Sequence, residues 1–395
     1  MRELKRRGHG VNVFTTHPHY PTWRVFDGYG RARRHDVVDG VPVRRLTTYI
    51  PHAPNAPKRL AFELSLGARL ATTRLPRADV AICTSPALFA SGLAMARLRA
   101  RGIPTVVWAQ DLYGVGVAET EMTDKRLAPA VAWAESALLR AADAVITIHP
   151  SLRRTLIDQL RLSADRVHVV RNWTHLSPRP PVDRAMVRKR LGWPRDRLVV
   201  LHSGAMGFKQ GLEVVVDAAN TARRRGLPIH FVLMGDGNQR RILEERAGLD
   251  PAVHFLDPLP GEEYQDAMGA ADILLVVDRP GVGSMAVPSK LTSYFTTGNP
   301  VLGSTDAEGN AGVEIRDAGA GLLARPGDAE DLLANILWLA EHPEERASMG
   351  RSGLDFYQRE LNMDNAVSAV EEILFSIVTR RPSPAHRLTE GVPNP

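Results

Sequence analysis

RPGVGSMAVPSKLTSYFTTGNPVLGS, residues 279–304, reads as a strand exit, a glycine-bearing loop, a short helix, a tight turn and a buried strand. Gly281 and Gly283 let the backbone close around a ligand, and Pro288 suits the first turn of a helix. The amides of Ser289 and Lys290 would then stand free at a positive helix end, with a lysine side chain beside them. Gly298-Asn299-Pro300 stops that helix and turns the chain into Val301-Leu302. This is a phosphate-binding design without a Walker motif. An ordinary strand-loop-helix-strand unit would read the same way.

Two further glycine turns lie upstream. The strand Leu198–Ser203 runs into Gly204-Ala205-Met206-Gly207-Phe208-Lys209-Gln210-Gly211 and then a helix over 212–225, whose positive end points back at the loop. Met234-Gly235-Asp236-Gly237 follows the next strand. Three ligand-friendly turns at successive strand ends predict one cleft at the carboxyl edge of a parallel sheet.

Strand and helix patterns alternate almost throughout, predicting an α/β chain of parallel sheets flanked by helices. At 395 residues, two domains are expected. The proline-rich stretch Asn172–Asp183 marks the join, giving domains 1–175 and 176–361, with a helix over 362–379 packing back on the first and a disordered tail over 380–395. Asp39-Gly40 separates two β-rich runs and predicts an inserted hairpin. The chain opens with RELKRRG, which reads as the helix that normally follows a buried first strand, so the first domain is expected to lack that strand.

Composition sets the broad class. With 44% hydrophobic and 24% charged residues this is an ordinary globular chain, and no apolar run is long enough to cross a membrane. The single cysteine, Cys83, excludes an intramolecular disulfide and fits a reducing compartment, and no His/Cys spacing suggests a resident metal. Residues 1–75 hold fourteen Lys/Arg against five Asp/Glu, although the whole chain is only +6. Arg31, Arg33, Arg34, Arg44, Arg45, Lys58 and Arg59 therefore mark a basic face suited to anionic lipid or a pyrophosphate-bearing substrate. Nucleic acid is not expected, since no nucleic-acid module is present. The helix from Lys58 carries leucines among basic residues and could lie on a membrane or simply pack on its sheet.

The ordered motifs RRGHGVNVFTTHPHYP (6–21), VVWAQDLYG (106–114), VITIHPSL (145–152), RVHVVRNW (166–173), HSGAMGFKQGLEVV (202–215), LMGDG (233–237) and PSKLTSYFTTGNPV (288–301) resemble family-four retaining glycosyltransferases of GT-B architecture. The resemblance is closer to the branch that builds exopolysaccharide, colanic-acid-like or O-antigen units. It implies two Rossmann-like domains: a C-terminal one for a UDP- or GDP-sugar, and an N-terminal one for a lipid-linked or growing saccharide. It implies donor contacts at Gly204, Gly207, Gly211, Gly235, Asp236, Gly237, Leu259, Gly283, Pro288 and Ser289. It gives Lys209 and Lys290 as electrostatic stabilisers, Asp111 as acceptor-side orienter, and His17, His19, Tyr20 and His149 as acceptor-side candidates. The chemistry it implies needs no metal and no cofactor beyond the donor, in a cytoplasmic enzyme that could sit on the inner face of the cell membrane.

Departures from the family pattern are local. Met285 and Ser293 stand where many relatives carry a glutamate pair, Ala205 replaces an arginine, and Gln210 occupies the usual lysine place next to Lys209. Two other readings fit the residues: a catalytically silent sugar-nucleotide-binding or scaffold protein, and a GT-B nucleotide-sugar 2-epimerase.

Overall fold

The computed structural model describes residues 1–20, 22–30, 34–85, 87–111, 128–174, 176, 179–248, 253–282 and 289–380. The chain divides into two compact units, the first running to Val170 and resuming at Val367, the second Arg171–Ala366. The sequence expectation set these crossings at 175/176 and 361/362. Residues after Asn172 belong with the second unit because they bond to it. The Leu176 carbonyl accepts from the Tyr357 hydroxyl at 3.2 Å, and the hydroxyls of Thr174 and Ser293 stand 3.5 Å apart.

Unit 1 opens with α1 (Arg2–Arg6), which feeds β1 (Val13–Thr16). β2 (Arg34–Val38) and β3 (Val41–Leu46) form the expected hairpin, with left-handed φ of 49° and 76° at Asp39 and Gly40, the signature of a primed turn. β3 also pairs with β1 in parallel, giving the sheet order β1-β3-β2. Then α2 (Ala56–Thr72), β4 (Ala81–Thr84), α3 (Leu88–Ala100), β5 (Thr105–Ala109), α4 (Ala128–Ala141), β6 (Ala144–Thr147), α5 (Pro150–Asp158) and β7 (Val167–Val169) alternate. Their strands form a second, all-parallel sheet in chain order. Cys83 lies half-buried in β4, where burial pushes its thiol up to about 11, as for an inert apolar residue.

The C-terminal helix, Met363–Arg380, is held to α1 by charge. Arg7 donates to Ser368 Oγ at 2.9 Å and to Glu371 at 2.6 Å, and His9 Nε2 lies 2.6 Å from the same carboxylate. Glu3, buried between Arg6 and Arg7, is held down at about 2 by hydrogen bonds from those guanidinium groups. Arg380, assigned to the tail from sequence, instead closes this helix; residues 381–395 lie outside the described ones.

Unit 2 continues with α6 (Arg184–Leu191), β8 (Leu198–Ser203), α7 (Glu213–Arg224), β9 (Ile229–Met234), α8 (Arg240–Ala247), β10 (Val253–Leu256) and α9 (Gly261–Ala270). It then runs through β11 (Ile273–Val277), α10 (Ser289–Tyr294), β12 (Val301–Ser304), α11 (Asn310–Ala318), β13 (Gly321–Ala324), α12 (Ala329–Glu341) and α13 (Pro343–Phe356). With the C-terminal helix counted as α14, the strands form one parallel sheet of order β10-β9-β8-β11-β12-β13. β9 and β11 are buried at every position, as continuous apolar strands covered on both faces must be. The order reverses between β8 and β11, where Leu201 pairs with Leu274.

The two units differ at their centres. In unit 2 the first strand, β8, sits between β9 and β11 and bonds to both. In unit 1 the corresponding neighbours are β1, which follows a helix as β9 does, and β4. Among the described residues β1 bonds only β3, and β4 bonds only β5. Val13–Thr16 and Ala81–Cys83 are only half-buried, and Thr84 is exposed. Among the described residues, unit 1 thus has two sheets where unit 2 has one.

Candidate active site

Ligands of doubly wound sheets lie beyond the strand carboxyl ends, where strand order reverses. In unit 2 that place is the exit of β8 and β11. β8 leads into Gly204, whose φ of 127° turns the chain, and the loop is stitched to the turn after β9. Gly204 donates to the Met234 carbonyl at 2.9 Å, Met206 to that of Asp236 at 2.8 Å, and Gln239 to that of Met206 at 2.9 Å. A β-carbon on Gly235 would fall 1.9 Å from the Gly204 oxygen, and one on Gly237 2.4 Å from the Met206 oxygen. The glycines are therefore there first for backbone-on-backbone packing, and that packing brings two of the three ligand-friendly turns together. Asp236 is exposed, its carboxylate accepting from the Gly237 amide at 2.8 Å, and Leu259 packs half-buried on the core below.

Arg279 holds the far end of the loop. It donates to the Phe208 carbonyl at 3.0 Å and to Glu213 at 2.6 Å, with its guanidinium carbon 3.8 Å from the Phe208 ring centre. Its amide donates to the Lys209 carbonyl at 2.9 Å. The backbone at Lys209 is thus clamped while the residue itself is exposed. Gly207 donates to Gln210 Oε1 at 3.0 Å, and Gly211 leaves the loop with φ 59° against the Arg279 backbone. Sequence reasoning took Arg279 only as a strand exit. Its position one residue past the Asp278 that ends an apolar run was the available signal.

α10 turns one face to β8, because Lys290 and Tyr294 are one helical turn apart. The Tyr294 hydroxyl is buried, accepts from the Ser203 amide at 2.8 Å, and is pushed far up by burial. Ser203 Oγ also lies 3.2 Å from the Tyr264 hydroxyl. Lys290 does not extend along the surface. Its Cε would lie 3.2 Å from a β-carbon on Gly204, and its Nζ is 3.4 Å from Nε2 of the fully buried His202. Asp278, which accepts from Thr305 Oγ1 at 2.8 Å, attracts the ammonium, yet burial dominates and brings Lys290 down to about 8. His202, Asp278 and Tyr294 were not foreseen, although each is a polar residue inside an apolar run.

Ser289 opens α10 and is exposed. Gly283, Pro288 and Met285 lie outside the described residues. A shallow cleft lined by Arg179, Arg184, Gln265 and Asn299 lies at the opposite, amino edge of this sheet, away from the glycine turns.

In unit 1 the expected residues follow strands. Asp111 comes after β5, is exposed, and its carbonyl accepts from Ser85 Oγ at 3.0 Å. His17 follows β1 and is buried, its ring 6.1 Å from that of Tyr29. His19 Nδ1 lies 2.9 Å from the His17 carbonyl, and its ring packs against both Trp23 and Phe62, while Tyr20 is 74% exposed. His149 is buried and caps α5, its Nδ1 accepting from the Ser151 amide at 3.2 Å.

Residues 1–173 match the family model described as a glycosyl transferase 4-like domain, and residues 197–342 match that of glycosyl transferases group 1. The putative colanic acid biosynthesis glycosyl transferase WcaI of Escherichia coli K12 is 30% identical over 350 residues, covering 84% of either chain. An alpha-D-kanosaminyltransferase of Streptomyces kanamyceticus is 31% identical over 38% of this chain and 39% of its own. Among solved structures, sucrose-phosphate synthase of Thermosynechococcus elongatus superposes with a TM-score of 0.71 at 19% identity, covering 96% of this chain and 92% of that one. Anabaena HepE in complex with UDP-glucose gives 0.65 at 19% identity, covering 86% and 87%. The fold is GT-B, built from two Rossmann-like units. The chain belongs to the family-four glycosyltransferases and is a transferase enzyme.

Proposed function

We propose that this enzyme moves a hexose or amino-hexose, with retained configuration, from a UDP- or GDP-sugar to a lipid-linked or growing saccharide in cell-surface polysaccharide synthesis. The observation that carries the reading is the pair of stitched glycine turns at the switch point of unit 2, with the Lys290 cation beneath them. The colanic acid relative and the UDP-glucose complex of a GT-B neighbour support the pathway class and the donor class respectively.

In this reading the bond from the sugar anomeric carbon to the donor phosphate oxygen breaks. A bond from that carbon to the acceptor oxygen forms on the same face, and the acceptor proton passes to the departing phosphate. The enzyme must therefore stabilise charge growing on a nucleoside diphosphate. Lys209, exposed on the Gly204 loop, and Lys290 beneath it supply fixed positive potential there without a resident metal. Asp111 orients the acceptor hydroxyl, with His17, His19, Tyr20 and His149 lining the acceptor side. Ser293 Oγ, where many relatives carry a glutamate, stands 3.5 Å from the Thr174 hydroxyl.

The proposed location is the cytoplasm, at the inner face of the cell membrane. No helix among the described residues is long and apolar enough to cross a membrane. α2 exposes Leu60 and Leu64, one turn apart, beside the exposed Lys58 and Arg59, the composition of a peripheral contact with anionic lipid.

Incubation of the purified chain with UDP- and GDP-sugars and a polyprenyl-diphosphate-linked saccharide tests the reaction. Release of UDP or GDP coupled to acceptor extension is the expected result. Binding without release in every pairing would instead favour the catalytically silent reading. Pairing of β1 and β4 on one side only, among the described residues, speaks for that second reading.

A further inference from the structure

His202 is buried to zero exposure in a strand whose neighbours are Leu201 and Val200. A histidine in such a place is most simply a satisfied core residue, but its two nitrogens face different chemistry. Nδ1 lies 3.2 Å from the Leu275 carbonyl oxygen, which can only accept, so Nδ1 carries the proton. Nε2 then holds the lone pair, and it faces an ammonium, Lys290, which can only donate. The ring is held as a neutral imidazole between the Leu275 and Ala205 backbones and Lys290. Burial first, and the Lys290 charge second, hold it well below the ordinary imidazole range.

The cation has few partners among the described residues, and the Asp278 charge favours it. Among the described residues, His202 faces it from β8 and is neutral. Asp278 faces it from the end of β11 but is itself pushed up by burial, and Asp306, after β12, pushes it further. Tyr294, one turn along α10, stays protonated. Lys290 is left as a half-buried ammonium directly under the Gly204 turn, its Nζ 3.7 Å from where a β-carbon on Gly204 would stand.

We propose that His202 is a positioning residue for donor binding. By accepting the Lys290 hydrogen bond it holds the amino group under the Gly204 turn, where a bound donor diphosphate favours its protonated form. This rests on the nucleotide-sugar reading above. The sign follows from linkage: a base whose protonated form is favoured in the complex takes up protons on binding, most strongly at pH above its free value. Affinity for the diphosphate then falls as pH rises through the free Lys290 value.

Titration calorimetry of the full chain with UDP and with GDP, in two buffers of different ionisation enthalpy, reads the proton count directly. At about pH 8.5 the wild type should take up roughly half a proton or more per nucleotide bound. Lys290→Met should take up none. His202→Leu, lacking the acceptor, should shift the uptake to lower pH and weaken binding at about pH 8.5 by about tenfold. His202→Gln, whose amide can donate to Leu275 and accept from Lys290, should restore both. Nucleotide binding without proton uptake, or uptake unchanged in Lys290→Met, overturns the proposal and leaves the nucleotide-sugar reading standing. Absence of binding by UDP and GDP at every pH overturns that reading and the proposal with it. If His202→Leu does not fold, Lys290→Met and His202→Gln decide the matter alone.

Discussion

Gly237 has room for no side chain, because a β-carbon there would stand 2.4 Å from the Met206 carbonyl oxygen, which itself accepts from Gln239. The contact joins the turn after β9 to the loop after β8 and fixes where the loop amides point. Gly237→Ala should therefore displace the loop as well as strain the backbone, whose φ is 159°. A stability loss of about 2 kcal/mol is expected in urea unfolding, together with loss of the nucleotide-induced rise in melting temperature. Gly226→Ala, at an open position with φ 66°, supplies the control for strain alone.

Lys290 gives the pH dependence of stability a definite sign. Its folded value is lowered to about 8 from 10.5, so between those values the unfolded chain binds more protons and stability rises with pH. Below about 8 the burial penalty is fully present, and above 10.5 it is gone. Lys290→Met should accordingly be more stable than wild type at neutral pH, with the advantage shrinking as pH climbs through that window. Parallel urea titrations across the range measure it. A constant difference would show that the ammonium is not desolvated in the fold.

Tyr294→Phe removes the acceptor of the Ser203 amide without changing the packing volume. A buried amide left unpaired should cost about 1–3 kcal/mol. Because Tyr294 also anchors α10, nucleotide affinity should fall further than the stability loss accounts for. Chemical unfolding and calorimetry on the same variant separate the two.

Leu60 and Leu64 are 40% and 44% exposed on one face of α2. Leu60→Glu with Leu64→Glu should abolish sedimentation with vesicles containing phosphatidylglycerol, while melting temperature stays within about a degree, as surface changes usually do. Vesicle binding that survives the pair would place the lipid contact elsewhere.

At the acid end, Glu3 is held down at about 2 by Arg6 and Arg7, against 4.5 for the free group. Its contribution to the α1 anchorage is present above 4.5 and is lost as pH falls toward 2. Glu3→Gln should flatten the acid limb of the stability curve in that interval, as followed by circular dichroism.

What was legible in the sequence was what local pattern dictates. ILLVV and IHFVLM are apolar on both faces, so β11 and β9 could be placed as buried parallel strands. The Asp39-Gly40 dipeptide located the hairpin turn, and Gly204, Gly235 and Gly237 located the turns after β8 and β9. Partnership was not legible. Nothing in the spacing of His202, Asp278 and Lys290 says that they meet, since their proximity depends on the reversal of strand order between β8 and β11. Lys290 read as a lysine beside a ligand, and its place beneath the Gly204 turn was not legible. The Asn172–Asp183 stretch has the composition of a loose spacer, but the hydroxyl of Thr174 and the carbonyl of Leu176 bond it to unit 2. Composition reports the cost of ordering such a segment and not the contacts that offset it.

The separation of the unit 1 strands into two sheets has a consequence for cooperativity. The inner strands of a continuous sheet are braced from both sides, whereas among the described residues β1 and β4 are each braced from one. The hairpin sheet, tied to the C-terminal helix through Arg7, His9 and Glu371, can then open while β5 and β6 remain closed. Amide exchange should report two protection levels in unit 1 and a single higher one in the β8, β9 and β11 core. The first unit is the half of the chain built to breathe.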